Sequence, residues 1–336
     1  MIERTASDPG AKTPVVLAQV EEAIGPQLAE VEQILLEELQ SANAYVSDIL
    51  HHVTRFRGKR LRPLLLLLTA DACGGIRREH KVLGAVVEMI HLATLVHDDV
   101  LDEAATRRHV ATVNARWNNE TSVLFGDYLF THSFHLASTL DTTYACRMIG
   151  RATNIVCEGE LSQIKERGNL DLSEDAYFRI IDGKTAELTA LCGHLGGYFA
   201  HAPAPTVTAM ERYGRLLGLA FQIADDVLDL VGNEKRTGKS LGTDVEKQKL
   251  TLPLIRLLAT ATEPDATEIR QLLLHPDETT RERLKPYFER NDAVQYAQRR
   301  ALALAEEARQ QLDSLPASRA RRILAEIAEF AVKRSF

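Results

Sequence analysis

Two stretches of this chain, residues 82–96 and 216–230, are apolar around most of a helical circumference, and each runs into the same acidic pentapeptide, Asp-Asp-Val-Leu-Asp. A helix that is apolar on all sides must be surrounded by other elements, so both stretches predict helices in the middle of an assembly rather than on its surface. The pentapeptides occupy residues 98–102 and 225–229. In each helical copy the first and last Asp, four residues apart, project from one face, and the middle Asp lies about 100° around. Carboxylates on helices whose other faces are buried call for a cavity with cations, because uncompensated buried charge is costly.

The rest of the chain is patterned alike. From about residue 15 onward, Leu, Ala, Ile and Glu recur at three- and four-residue spacing, as in residues 16–40 and 301–312, and strand signals are nearly absent. Turn chemistry concentrates at Arg57-Gly58, Gly74-Gly75, Gly168-Asn169, residues 201–205, residues 232–243 and Glu263-Pro264, which divides the chain into a dozen or so helices. Ser173, followed by Glu174 and Asp175, predicts an N-cap with acids in the first turn of a helix that reaches about Ala190 or beyond. The expected fold is all-α: one large helical bundle with a central cavity between two Asp-rich helices. It forms a single domain over residues 15–336, behind a flexible N-terminal segment, residues 1–14. Gly193, Gly196 and Gly197 and the segment Pro203–Pro205 lack the linker composition of a domain boundary.

Composition narrows the partners. A net charge of −7 leaves no basic footprint for nucleic acid, so any phosphate site must be locally basic. Cys73, Cys146, Cys157 and Cys192 form no Cys-x-x-Cys pair and lie in apolar helical surroundings, which reads as buried free thiols in a reducing compartment. The first 14 residues have neither an apolar h-region nor an Arg-rich transit pattern, so a cytoplasmic protein is expected. The most apolar run, residues 64–68, falls far short of the roughly 20 residues of a membrane span.

Six Asp on two helices suit Mg²⁺, a hard cation that takes oxygen ligands and bridges to phosphates, so the implied ligand is a diphosphate. Zinc is disfavoured, because His97 has no Cys or His partner at a metal-ligand spacing. Two compact basic clusters can meet phosphate directly: Gly58-Lys59-Arg60-Leu61-Arg62-Pro63, and Arg107-Arg108 just after the first acidic motif. Arg supplies bidentate forks, Lys a point charge, and Gly58 close backbone approach. His91 stands seven residues before Asp98, two helical turns away on the same face.

In order along the chain, the Gly58–Pro63 motif, residues 91–102 with Arg107-Arg108, Gly126-Asp127-Tyr128-Leu129, Gly183-Lys184-Thr185-Ala186, residues 221–229, and Gly238-Lys239 through Lys249-Leu250-Thr251-Leu252-Pro253 resemble the motifs of trans-isoprenyl diphosphate synthases. Ala-Thr-Leu-Val-His before Asp98 resembles the medium- and long-chain members. The resemblance implies an all-α fold in which both Asp-rich motifs hold Mg²⁺ on an allylic diphosphate, with Asp98, Asp102, Asp225 and Asp229 as metal ligands. It implies Lys59, Arg62, His91 and Arg108 as the isopentenyl diphosphate pocket. Arg107, Lys184, Thr185, Gln222, Lys239 and Lys249 then face the allylic substrate, with Asp99 and Asp226 completing the catalytic set. Lys184 lies in an apolar helix, where its ammonium requires either solvent or an anion, and an anion is expected. Gln222, one turn before Asp226, can donate from its amide without adding charge.

The implied reaction is Mg²⁺-dependent head-to-tail condensation of isopentenyl diphosphate with an allylic diphosphate, giving an all-trans product longer than geranylgeranyl. Ala93 and Thr94, five and four residues before Asp98, are not aromatic, so the floor that stops short-chain members is missing there; Met89, Ile90 or Phe130 are other candidates for it. Three positions depart from the family pattern: His109, Asn118 and Gln248 stand where Gly is usual. They bear on loop shape, since Gly permits backbone angles that His and Gln adopt poorly. A homodimer is expected from the resemblance. A class I terpene cyclase, a head-to-head synthase and a noncatalytic subunit of a heteromeric synthase are the alternatives. The second Asp-Asp-Val-Leu-Asp argues against the first, the leading Asp pair against the second, and the complete set of acids and bases against the third.

Overall fold

The computed structural model describes residues 15–56, 58, 60–232 and 241–333. The expected flexible segment 1–14 lies outside the described residues, as do Lys59 and Lys239. The all-α expectation is met: among the described residues the only sheet is a two-stranded one, β1 (Thr106–Arg107) against β2 (Val110–Ala111). No described helix is long and apolar enough to cross a membrane.

The helices begin where local chemistry supplies caps. Asn43 Oδ1 accepts from the backbone of Tyr45 and Val46 to open α2 (Ala44–Val53), after α1 (Val15–Glu38). Asn118 accepts from Thr121 N to open α6 (Asn119–Ser138). Ser173 accepts from Ala176 N to open α8 (Glu174–Ile181), as its sequence predicts. Such caps are worth roughly 1 kcal/mol each. Asn118, one of the three departures, is thus an N-cap in extended backbone (φ −169°), a task Gly performs less well.

Packing divides the chain into two compact units, each drawn from three segments. Among the described residues, the first comprises those within 15–150, 191–211 and 314–326. Its centre is α4 (Arg78–Leu101), which packs on α1, α3 (Leu61–Cys73) and α6. From Val82 to Ile90 no side chain of α4 is more than slightly exposed, and residues 64–68 of α3 are equally buried. This is what the all-round apolar pattern predicts; each such Leu, Ile or Val stabilises by roughly 1.5–3 kcal/mol. The α4–α6 contact depends on Gly126, where a Cβ would stand 2.1 Å from His97 Nε2. His97 fills that space, its ring stacked on Phe130 and bonded to Val123 O (3.1 Å). Gly193 and Gly196 of α9 (Glu187–Phe199) mark close approach, since a Cβ would meet Met210 O at 2.1 Å and Leu66 O at 2.7 Å.

The second unit comprises the described residues within 151–190, 212–313 and 327–333. Its core gathers Tyr177, Ile180 and Ile181 of α8 and Ala220, Ile223, Val227 and Leu230 of α10 (Ala204–Val231). Helices Leu252–Thr260, Glu263–Leu274, Thr280–Glu289 and Ala293–Gln311 complete it. The predicted helix from Ser173 is continuous to Phe199, but it widens into a π-turn over Asp182–Ala186, with Glu187 N–H bonding Asp182 O five residues back. Opposite this turn, α7 (Tyr144–Lys165) brings Gly159 so close that a Cβ there would stand 2.4 Å from Lys184 N.

The four cysteines are free, and only Cys192 is buried, where burial pushes its thiol up to about 12. Cys157 is exposed, contrary to expectation, because its apolar sequence neighbours Ile155 and Val156 turn to other sides of α7.

Candidate active site

The first unit holds the first acidic motif with the basic clusters. Asp98 and Asp99 end α4, Asp102 caps it, and Asp102 N–H bonds Asp98 O (2.8 Å). The middle carboxylate turns inward: Asp99 is 0 % exposed and takes Arg107 Nε and Nη2 at 2.8–3.1 Å. Burial raises its carboxyl despite that guanidinium. Asp98 and Asp102, on the other face, are half-buried. Arg107 was expected to face the allylic substrate; here it ties the β1–β2 hairpin to α4.

The hairpin turn explains a second departure. Arg108 (φ 51°) and His109 (φ 64°) are its two central residues, both left-handed, the signature of a type I′ turn. Gly or Asn normally fills such positions, so His109 stands under strain where Gly is usual. The turn delivers the Arg108 guanidinium to Phe56 O (2.7 Å), where a Cβ on Gly58 would meet Arg108 Nη1 at 2.6 Å. Around it gather Arg62 and His91. Burial, and then the guanidinium groups of Arg62, Arg108, Arg107 and Arg60, hold His91 neutral, well below the usual imidazole range. Arg62 Nε is sealed from water without a hydrogen-bond partner. Ala93 is fully buried in α4, and the Thr94 hydroxyl donates to His91 O (2.8 Å).

The second unit holds the other copy. Asp226, 3 % exposed, is again the inward one; it accepts from Tyr177 OH (2.6 Å) and Gln222 Nε2 (2.7 Å). Gln222 Oε1 accepts from Thr185 (2.8 Å), so the amide that was expected to face substrate is engaged by protein on both sides. The π-turn presents Lys184 to Glu160, an ion pair that supplies the anion its apolar helix demands. Asp229 accepts from Thr243 Oγ1 and Asp244 N–H, both at 3.1 Å, holding the short helix Thr243–Glu246.

Sequence reading missed Asp244. Burial first, then Asp229 beside it, raises its carboxyl to about 7, against the pull of Lys249 and Lys184. Burial and Asp244 likewise drive Asp226 well above the usual range. Lys249 is placed by a Schellman turn: Lys249 N–H bonds Asp244 O (2.8 Å), Gln248 N–H bonds Val245 O (2.9 Å), and Gln248 is left-handed at φ 53°. Here too Gly is the usual residue. A cavity of about 50 Å³ opens among Lys184, Thr185, Gln222, Asp226, Asp244 and Lys249.

Among the described residues no three His, Cys, Asp or Glu side chains converge on one point to hold a metal ion. The donor chemistry nevertheless fits a hard cation: each copy offers carboxylate oxygens on a half-buried face, and beside the second, burial raises the carboxyl of Asp229 and, together with Asp229, that of Asp244.

The chain matches the polyprenyl synthetase family model over residues 43–290. It is 35 % identical to an all-trans-nonaprenyl-diphosphate synthase (geranyl-diphosphate specific) of Rhodobacter capsulatus, over 93 % of this chain and 96 % of that one. It is 33 % identical to the octaprenyl diphosphate synthase of Escherichia coli K12, over 95 % and 99 %. Its backbone is similar to the crystal structure of a polyprenyl synthase from Caulobacter crescentus CB15 complexed with calcium and isoprenyl diphosphate, with a TM-score of 0.90, 33 % identity, and coverage of 97 % of this chain and 100 % of that one.

Proposed function

Because this chain belongs to the polyprenyl synthetase family, we propose that it condenses isopentenyl diphosphate head-to-tail with an allylic diphosphate, extending an all-trans chain beyond geranylgeranyl length. The observation that carries the reading is the basic pocket of the first unit. Arg62 Nε is sealed and without a partner, His91 is held neutral, and Arg108 is fixed against Phe56 O. A buried guanidinium with an unmet donor calls for an anion, and a diphosphate supplies one.

In the proposed reaction the allylic carbon–oxygen bond breaks and the diphosphate leaves with its electron pair. The isopentenyl double bond attacks the resulting cation, and a proton is lost from the new chain. Arg62 and Arg108 hold the isopentenyl diphosphate, and neutral His91 hydrogen-bonds beside it without adding charge. Lys184, Lys249 and Lys239 offset charge on the departing diphosphate. Asp98, Asp102, Asp225 and Asp229 would hold Mg²⁺, which when bound supplies further charge stabilisation of that leaving group. Tyr177 and Gln222 fix Asp226.

Ala93, with no bulk of its own, supports the long product, and so does the naming of the octaprenyl and nonaprenyl relatives. The proposal extends to one catalytic domain over residues 15–336, acting as a cytoplasmic homodimer. The test is incubation of purified protein with isopentenyl diphosphate, Mg²⁺ and a series of allylic primers, followed by sizing of the products. Elongation past 20 carbons is expected; no isopentenyl-dependent elongation with any primer refutes the reading.

A further inference from the structure

Arg60 stands between Gly58 and Arg62 in the basic run, yet its side chain does something different. It opens α3 from a left-handed backbone (φ 49°, ψ 39°), a conformation that Arg rarely adopts, and makes no side-chain cap. Its guanidinium is taken up by two carboxylates from separate helices. Glu32 of α1 accepts Nε and Nη2 in a bidentate pair at 2.9 and 3.0 Å, and Glu88 of α4 accepts Nη1 at 2.7 Å. These carboxylates outweigh burial and hold the guanidinium charged more firmly than usual. All three guanidinium nitrogens of Arg60 thus bond protein carboxylates, and its charge is already paired within the protein.

The position of the clamp gives it a purpose. Arg62 follows two residues later in the first turn of α3, and Glu88 lies three residues before His91 on α4. The second Glu88 oxygen is sealed without a hydrogen-bond partner, and its field acts on Arg62. On the other flank of the same turn, Arg108 locks Phe56 and Gly58. The strained turn is therefore held from both sides, and the group between them is Arg62.

We propose that Arg60 is a positioning residue, clamped by Glu32 and Glu88 so that its left-handed turn aims Arg62 at the isopentenyl diphosphate. The inference rests on the pocket proposed above and adds residues to it. Glu32 lies in α1, outside the residues that match the family, so the family pattern does not assign it.

Glu32→Ala removes half the clamp without touching substrate. It is expected to raise the KM for isopentenyl diphosphate, and its Kd by calorimetry, about tenfold, because small misplacements of a binding group carry penalties of that order. The kcat at saturation and the allylic KM should stay within about twofold, and Glu32→Gln, which keeps an acceptor, should fall between. Arg60→Gly relieves the backbone strain and deletes the clamp, so it should weaken isopentenyl binding at least as much as Glu32→Ala. Wild-type isopentenyl KM and Kd in Glu32→Ala, or wild-type binding by Arg60→Gly, overturn the inference. So does an equal rise of both KM values accompanied by a fall in Tm, the mark of a general loss of structure. If Glu32→Ala fails to fold, Glu32→Gln and Arg60→Gly decide the matter. A wild type that binds no isopentenyl diphosphate overturns the pocket as well; a wild type that elongates while the variants bind normally overturns the clamp alone.

Discussion

The contact between Gly159 and the π-turn makes a sharp prediction for Gly159→Ala. A Cβ at this position would stand 2.4 Å from Lys184 N, 2.9 Å from Gly183 C and 3.1 Å from Gly183 Cα. Ordinary contact with backbone atoms needs about 3.4 Å or more, so α7 and the turn must part by roughly 1 Å, and neither neighbour is a flexible side-chain end. Overpacking of this kind costs about 3 kcal/mol, of which about 1 kcal/mol is offset by the better helix propensity of Ala, leaving a net loss of ~2 kcal/mol. The strain falls on the backbone of Lys184, and a shift of about 1 Å there should lower kcat/KM for the allylic substrate by up to about 100-fold. Gly183→Ala is the control. Its Cβ would meet Ile155 O at 3.0 Å and Gly159 Cα at 3.2 Å, a deficit of a few tenths of an ångström. It should cost no more than about 1 kcal/mol. Denaturant unfolding and steady-state kinetics on both variants check the ordering. A Gly159→Ala protein with wild-type stability and kcat/KM, or a Gly183→Ala protein harmed more than it, would refute the reasoning.

Two further predictions concern stability. His80 is fully buried, accepting from Arg77 N–H at Nδ1 (2.9 Å) and meeting Gly196 O at Nε2 (3.1 Å), and burial lowers its pKa to about 4. The unfolded chain, with an imidazole near 6.5, takes up the proton first, so stability should be full above pH 6.5 and fall as pH drops toward 4, by roughly 3 kcal/mol from this residue. His80→Gln should flatten that acid limb in urea unfolding at pH 7 and pH 4.5; an unchanged limb would refute the assignment. His109→Gly should raise stability by about 0.5–1 kcal/mol by relieving the left-handed strain, as read from the shift in thermal midpoint. Gln248→Gly should gain less, because the Gln248 side chain also donates to Leu274 O (3.1 Å).

What was legible in the sequence is what local rules govern. The all-round apolar pattern of residues 82–96 forecast a buried α4, and Ser173 forecast a cap; both depend only on neighbours within a turn or two. The i, i+1, i+4 spacing of each acidic pentapeptide likewise sets Asp99 and Asp226 apart from their flanking carboxylates, and these are the two that are buried. The π-turn was not legible, because the stretch from Ser173 to about Ala190 or beyond read as one helix, and the close neighbour of the widened turn, Gly159, lies on another. Asp244 escaped for a similar reason: it sits in a one-turn helix with no periodicity, and its significance comes from Asp229, fifteen positions away. The strain at His109 and Gln248 was half legible. A missing Gly marked both positions, but only the turn geometry gave the sign of φ.

The wide turn at Asp182–Ala186 also sets the phase of the chain around it. One extra residue per turn offsets the angular register of everything before it by about 100° relative to everything after. Tyr177 and Ile181 on one side, and Ala190 and Leu191 on the other, are all buried with that offset in place. Deletion of a single residue between Asp182 and Ala186 would therefore not shorten the helix harmlessly. It would restore an unbroken α-helical phase and turn the one-sided apolar face of Glu174–Ile181 relative to its continuation, which is buried all round over residues 186–193, so this segment should tolerate substitution far better than any change in length.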